Sequence, residues 1–219
     1  MNVYYWKIAG IRQMDLQPWT GIISEERLRR AKRFHQEKDR IRCLCAEILL
    51  RYGLAQAGVQ KQDIRFRYQQ SGKPFLEGNH LPYFSISHSG DYVMCAIASE
   101  EIGADVEQCT DIHSGLAKSV MTSAEYAHYL NLHPNMQNQY FFTVWTCKES
   151  VVKCIGTGLQ TPFPSIEIVT AGKKTQAVKD GKEIYHLWRI PLGGAYCSAV
   201  CMKHEKSVPK VIFVDTEQL

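Results

Sequence analysis

The sequence predicts a mixed α/β fold in two halves, each joining helices to a small, mostly antiparallel sheet. Three observations predict it. Short strand-like runs bounded by turn residues recur along the chain, as in Tyr83 to Ser87 and Val93 to Ala98 around His88-Ser89-Gly90-Asp91. Stretches with helical spacing alternate with them, the clearest from about Gln137 to Ile155. No Pro/Gly-rich linker, repeat or low-complexity segment divides the 219 residues, which suffice for one large domain or two small ones.

Taken in order, Met1 to Gly10 opens with a short strand in which Val3 and Tyr5 alternate with Tyr4 and Trp6. Ser24 followed by Glu25 and Glu26 is a helix start, a capping hydroxyl with acids at the positive end of the dipole. Ile41, Leu44, Ile48 and Tyr52, widened by Cys45 and Leu49, mark a second helix that Gly53 weakens or ends. Ile64 to Tyr68 alternates like a strand before the turn Ser71-Gly72-Lys73-Pro74, and Ile102 to Glu107 is a further strand. Thr122 and Glu125 have capping-box spacing, in a helix that His133-Pro134 ends. The strong helix carries Phe141, Trp145, Lys148, Val152 and Ile155 on one stripe, with Gly156 at its stop. Strands follow at Ser165 to Thr170, Glu183 to Ile190 and Ala195 to Met202.

Composition narrows the class. Apolar residues make up 45% and charged residues 22%, the balance of an ordinary globular protein, and a net charge of +4 is too small to argue for nucleic acid by itself. The start lacks the plan of a signal peptide, and no run of about 18 apolar residues offers a membrane span. Eight cysteines lie largely in apolar runs, and neither Cys43/Cys45 nor Cys147/Cys154 has zinc-site spacing. The expectation is a cytoplasmic protein with reduced thiols.

Four constellations could carry chemistry. On a strand, Asp105 and Glu107 of Gly103-Ala104-Asp105-Val106-Glu107 project from one face. Two adjacent carboxylates suit Mg2+ held partly through substrate phosphates; the bland alternative is a pair of solvated acids on an exposed edge. Glu149 and Lys153 stand one turn apart on the strong helix, ahead of the flexible Gly156-Thr157-Gly158-Leu159, and could be only a surface ion pair. Ser85-Ile86-Ser87-His88-Ser89-Gly90 gathers hydroxyls, an imidazole and backbone N–H groups at one strand tip, fit for phosphate or merely for capping a hairpin. From Arg27 to Arg42 run eight Lys/Arg and two acids. Such a helix can be a solvated face, bind nucleic acid or lipid, or meet a polyanionic small molecule with Arg forks, and Lys73 in its Gly-Lys-Pro turn could add to that site.

The order of these pieces is more specific than any of them. Basic helix, Gly-Lys-Pro, Ser-Ile-Ser-His-Ser-Gly, Gly-x-Asp-x-Glu and then Trp-x-x-Lys-Glu-Ser-x-x-Lys-x-x-Gly-x-Gly-Leu resembles the Sfp-like 4′-phosphopantetheinyl transferases, from about Glu25 to Leu159. The resemblance implies a pseudo-twofold monomer with halves 1–104 and 105–219 and coenzyme A, the substrate, between them. It implies a holo-[carrier protein] synthase that uses Mg2+, or Mn2+ in its place. The phosphopantetheine arm would pass to a serine of an apo acyl, peptidyl or aryl carrier protein, releasing 3′,5′-ADP, in fatty-acid, polyketide, nonribosomal-peptide or lysine pathways. Neither nucleic acid nor membrane is an expected partner.

Carried residue by residue, the resemblance implies Asp105, Glu107 and Glu149 as metal ligands, and Glu149 as the route for the serine proton. Lys153 would contact the pyrophosphate. Arg27, Arg30, Arg42 and His88 would be phosphate contacts, with Lys73 and Ser87 at the adenine and ribose end. The segment Ser114 to Met121, with Leu116, Val120 and Met121, is where relatives meet the carrier; it could equally be core. Arg27 and Arg30 stand where the best-known relative has lysines, and Cys43 where it has a threonine. Two other readings stay open: a coenzyme A- or nucleotide-binding protein without activity, and a metal-dependent phosphodiesterase using the same acids.

Overall fold

The computed structural model describes residues 1–113, 115–172, 174–204 and 208–219. Eleven strands and five α-helices build two sheets, a small hairpin and their helical covers among these residues. The first sheet has the order β11 (Lys210–Val214), β1 (Asn2–Lys7), β5 (Tyr92–Ala98), β4 (Tyr83–Ser89), antiparallel except that β11 runs parallel to β1. The second is an antiparallel run of β6 (Ile102–Gln108), β10 (Tyr196–Met202), β9 (Glu183–Arg189), β8 (Lys174–Lys179) and β7 (Ile166–Ala171). β2 (Phe66–Tyr68) and β3 (Pro74–Leu76) form a separate hairpin whose turn carries Lys73.

Alternation sorts the core into layers. Tyr4 and Trp6 of β1, with Val93, Cys95 and Ile97 of β5, pack on α2 (Glu37–Gln56). Their neighbours Val3, Tyr5, Met94 and Ala96 face the other way, onto Ala104, Val106, Val200 and Met202 of the second sheet. That sheet's far side, with Ala199, Cys201, Tyr185 and Leu187, packs on Cys147, Val151 and Cys154 of α5 (Pro134–Ile155). Each half thus lays one long helix on its sheet, and the sheets meet between them.

The local signals act where expected. Ser24 accepts the Arg27 N–H at the start of α1 (Glu25–Lys32). Thr122 and Glu125 close a reciprocal capping box on α4 (Ser123–Asn131). Gly156 ends α5 at φ 82°. Gly53 does not end α2; the helix runs past it because a Cβ there would press on Ile97 and Tyr4, so the glycine permits close packing on the sheet. The division between residues 104 and 105 falls inside β6, and β11 returns to the first half's sheet, so the halves are not separate consecutive segments.

All eight cysteines are free thiols, and no helix is long and apolar enough to cross a membrane among the described residues. Ser114 of the expected carrier-facing segment lies outside the described residues. Leu116–Val120 forms α3, capped by Gly115 and Met121; Val120 and Met121 are core and Leu116 is exposed.

Candidate active site

The halves touch along β4 and β6 through side chains. Alternation puts Ser85, Ser87 and Ser89 on one side of β4, toward β6. Ser85 Oγ accepts the Ala104 N–H at 2.9 Å, and Ser89 Oγ accepts the Gln108 N–H at 3.1 Å. Ser87 donates to Asp105 Oδ1 at 2.7 Å, and Ser89 donates to Glu107 Oε2 at 2.7 Å. The serine ladder satisfies an otherwise unpaired strand edge and orients both acids. On the other side α5 sits tight against β6, because a Cβ at Gly103 would collide with the Ser150 carbonyl and Cys154 nitrogen.

Beside this seam opens a cavity of about 440 Å3 lined by Arg27, Arg30, Lys73, Ser87, His88, Asp105, Glu107, Glu149 and Lys153. The fold therefore brings together nine of the ten site residues expected from sequence. Arg42 is the exception. Its guanidinium donates to the Gly90 carbonyl at 2.8 Å and to Asp39 at 2.6 Å, and it lines a different cavity with Ile8 and Glu37. The reason is helical: Cys43 of α2 faces Arg27 at 3.9 Å, and the preceding residue points about 100° away.

The acids are not solvated strand residues. Asp105 is 2% exposed, and Lys153 pairs with its Oδ1 at 2.6 Å while donating to Ser87 Oγ at 3.1 Å. Burial, then the charge of Asp105, raises the Glu107 pKa to about 7. Burial likewise raises Glu149, opposed by Lys153. Burial works against the Lys153 ammonium, but Asp105, Glu149 and Glu107 together outweigh it and raise the pKa. Burial and the Lys153 charge push His88 down to about 4, so its imidazole is neutral at pH 7 and offers a hydrogen bond without charge.

These carboxylates do not make a ready three-ligand cluster, since among the described residues no group of three metal-ligating side chains converges. Asp105 Oδ1 is already engaged by Lys153 and Ser87. Its Oδ2, however, is buried with no hydrogen-bond partner among the described residues. An orphaned carboxylate oxygen beside two acids with raised pKa values fits a hard divalent cation completed by waters and substrate phosphate.

The sequence reading missed the supports. Glu47, 1% exposed on α2, accepts from Ser24 N and Oγ and from Arg51, and lies 3.5 Å from Arg27 Nε. A single acid in the apolar run Cys43 to Leu50 is the signal that could have found it. Glu101 holds Lys73 Nζ at 2.6 Å. The period-two serines of β4 were visible in sequence, but what they join was not.

A deep cationic rim, a buried acid cluster and one lysine between them define a protein that handles a polyanionic substrate at clustered carboxylates. Comparison with known proteins gives the class a family. A family model described as the 4′-phosphopantetheinyl transferase superfamily matches residues 101–201, and one described as 4′-phosphopantetheinyl transferase, N-terminal, matches residues 12–101. The chain is 31% identical to the 4′-phosphopantetheinyl transferase Sfp of Bacillus subtilis, over 97% of this chain and 99% of that protein. It is 36% identical to the B. subtilis transferase ffp over 74% of this chain and 75% of that protein. The gsp transferase of Aneurinibacillus migulanus is 33% identical over 74% and 68%. The chain belongs to the 4′-phosphopantetheinyl transferase family.

Proposed function

We propose that the protein transfers the 4′-phosphopantetheine group of coenzyme A to a serine of an apo carrier protein in the cytoplasm, releasing 3′,5′-ADP. The observation that supports this best is the single cavity where Arg27, Arg30, Lys73 and His88 face Asp105, Glu107, Glu149 and Lys153. In this reading the arginines grip phosphate with bidentate forks, and His88 donates a neutral hydrogen bond. Lys73, tethered to Glu101, and Ser87 line the nucleoside end.

Asp105, Glu107 and Glu149 would hold Mg2+ or Mn2+, which supplies neutralisation of charge on the pyrophosphate as 3′,5′-ADP departs. Glu149 takes the proton of the attacking serine hydroxyl, and its raised pKa brings it nearer the operating range of a general base. Lys153 sits where charge grows on the leaving phosphate. Its pairing with the buried Asp105 keeps the ammonium charged and fixed in place before substrate arrives.

An inactive binding protein would not need Lys153 and the acids arranged around an orphaned oxygen, and a phosphodiesterase reading lacks the family's support. The test is incubation with coenzyme A, Mg2+ and apo acyl, peptidyl and aryl carriers, read by intact mass. A phosphopantetheine-sized gain on at least one carrier, lost with a chelator, is expected. No gain on any carrier would overturn the proposal.

A further inference from the structure

Past the end of the seam, the stripe Asp105–Glu107 continues to Cys109, two residues further along the same face. Cys109 Sγ lies 3.6 Å from Cys197 Sγ. Cys197 belongs to β10, where its register partner is Glu107. One amide holds both thiols. Gln139 Nε2 donates to Cys197 Sγ at 2.9 Å, while Gln139 Oε1 accepts from Cys109 Sγ at 3.7 Å. Thr143 Oγ1, 3.5 Å from Cys197 Sγ, donates its own proton to the Gln139 carbonyl. The Gln139 amide thus donates to Cys197 Sγ, whose own proton faces Thr143 Oγ1 at 3.5 Å and the Gln139 carbonyl at 3.7 Å. Cys197 also lines a cavity of about 320 Å3 that Arg189 and Tyr196 border, an approach for a small neutral oxidant.

We infer that Cys109 and Cys197 are an oxidant-reactive thiol pair, a modification site at which hydrogen peroxide forms a disulfide at the end of the carboxylate-bearing strand. The step balances. Cys197 sulfur attacks a peroxide oxygen, the O–O bond breaks, and a sulfenic acid forms as the first water leaves. Cys109 sulfur then attacks the sulfenic sulfur, the S–O bond breaks, and a second water carries off the remaining thiol proton. The pair gives two electrons and the peroxide accepts them. Closing to the disulfide distance needs a shift of about 1.5 Å. Cys109 can supply it because it lies just past the end of β6, with one backbone hydrogen bond to the Ala195 carbonyl. That shift draws on the strand segment bearing Glu107, so oxidation slows transfer.

The slowing rests on the transferase reading, whereas disulfide formation does not. The full chain, reduced and desalted, is exposed to hydrogen peroxide and mapped by non-reducing peptide mass, with transfer assayed in parallel. A Cys109–Cys197 disulfide is expected, with a rate reduced roughly tenfold or more and restored by dithiothreitol. Cys109→Ser should stop at a dimedone-trapped sulfenic acid on Cys197 and lose no rate through disulfide formation, and Cys197→Ser should give neither product. Peroxide that leaves both thiols alkylatable, or pairs other cysteines, overturns the site; trapping on Cys109 overturns the assigned roles. Disulfide formation at an unchanged transfer rate overturns the coupling to Glu107.

Discussion

α5 carries two lysines five residues apart, each pairing with a carboxylate at 2.6 Å, and the two pairs do opposite work. Lys148 is 0% exposed, and its three donors meet Glu125 Oε2, the Val120 carbonyl and the Phe163 carbonyl. Glu125 in turn accepts from Thr122 N and Ile168 N. Every strong donor and acceptor there has a protein partner, so the pair locks α4 and β7 onto α5. Lys153 is 29% exposed at the cavity wall, and its partner Asp105 keeps a buried oxygen unpaired among the described residues. A satisfied ion pair is scaffold. One that leaves an acceptor orphaned beside a cavity is prepared for a ligand.

The comparison can be broken by mutation, and the largest effect is expected at the orphaned carboxylate. Asp105→Ala should reduce transfer to background while the fold survives, since the ammonium left unpaired, Lys153, is 29% exposed at the cavity wall. Loss of folding by circular dichroism would instead make Asp105 part of the scaffold. Glu149→Gln keeps the size of the side chain but not its basicity. Single-turnover rates on one apo carrier should fall by about 10²–10⁴-fold, with coenzyme A affinity changing much less.

At the scaffold pair the effect should appear in stability. Lys148→Met strands a buried carboxylate and should cost about 3–5 kcal/mol. The melting temperature should then fall by roughly 10 °C or more. A melt within a degree or two of the parent would show that the Lys148 pair stabilises nothing.

Much of this contrast was legible in the sequence, and what was not has a common cause. α5 could be read because apolar spacing from Gln137 to Ile155 and the stop at Gly156 agree, but its first turn could not, because Pro134, read as ending the helix before it, is its first residue. Asp105 and Glu107 could be placed on one face by strand alternation alone. Their burial could not, because β4 covers them from 18 residues earlier through serines whose partners depend on how two sheets meet. Lys148 was assigned to an apolar stripe, and its burial beside Glu125 explains how a lysine occupies that stripe. Arg42 was expected among the phosphate contacts from the family resemblance, whereas its guanidinium here donates to the Gly90 carbonyl and to Asp39. β8, β3 and β11 gave weak signals. Lys174–Lys179 is polar for a strand, Pro74–Leu76 has three residues, and Lys210–Val214 is an edge strand stabilised by pairing with distant β1.

Two smaller effects sharpen the account. Arg30→Ala should raise the apparent KM for coenzyme A several-fold, about 1 kcal/mol of binding. The effect on dephospho-coenzyme A should be smaller; equal effects on both would move Arg30 away from the 3′-phosphate. The smallest effect concerns Glu107. Its folded pKa of about 7 lies above the ordinary value of 4.5, so the folded state holds its proton more tightly than the unfolded chain. Its contribution to stability is therefore fully present below about pH 4.5 and is lost as pH rises toward 7. With chelator present, the melting temperature should drift down over that window in the parent and stay flatter in Glu107→Gln. Parallel pH profiles would remove Glu107 from the coupled acids.

The most direct measurement sets the two lysines side by side. Lys153→Met and Lys148→Met are each assayed for single-turnover transfer at a temperature where both are folded, and each is melted. A crossed result is expected. Lys153→Met should lose transfer by orders of magnitude, because the ammonium matches charge that peaks as the pyrophosphate bond breaks, and melt well above Lys148→Met, since water in the cavity can replace an ammonium that is 29% exposed. Lys148→Met should melt well below the parent and transfer at a similar rate while folded. Near-parent transfer by Lys153→Met, with the stability loss falling there instead, would contradict the account.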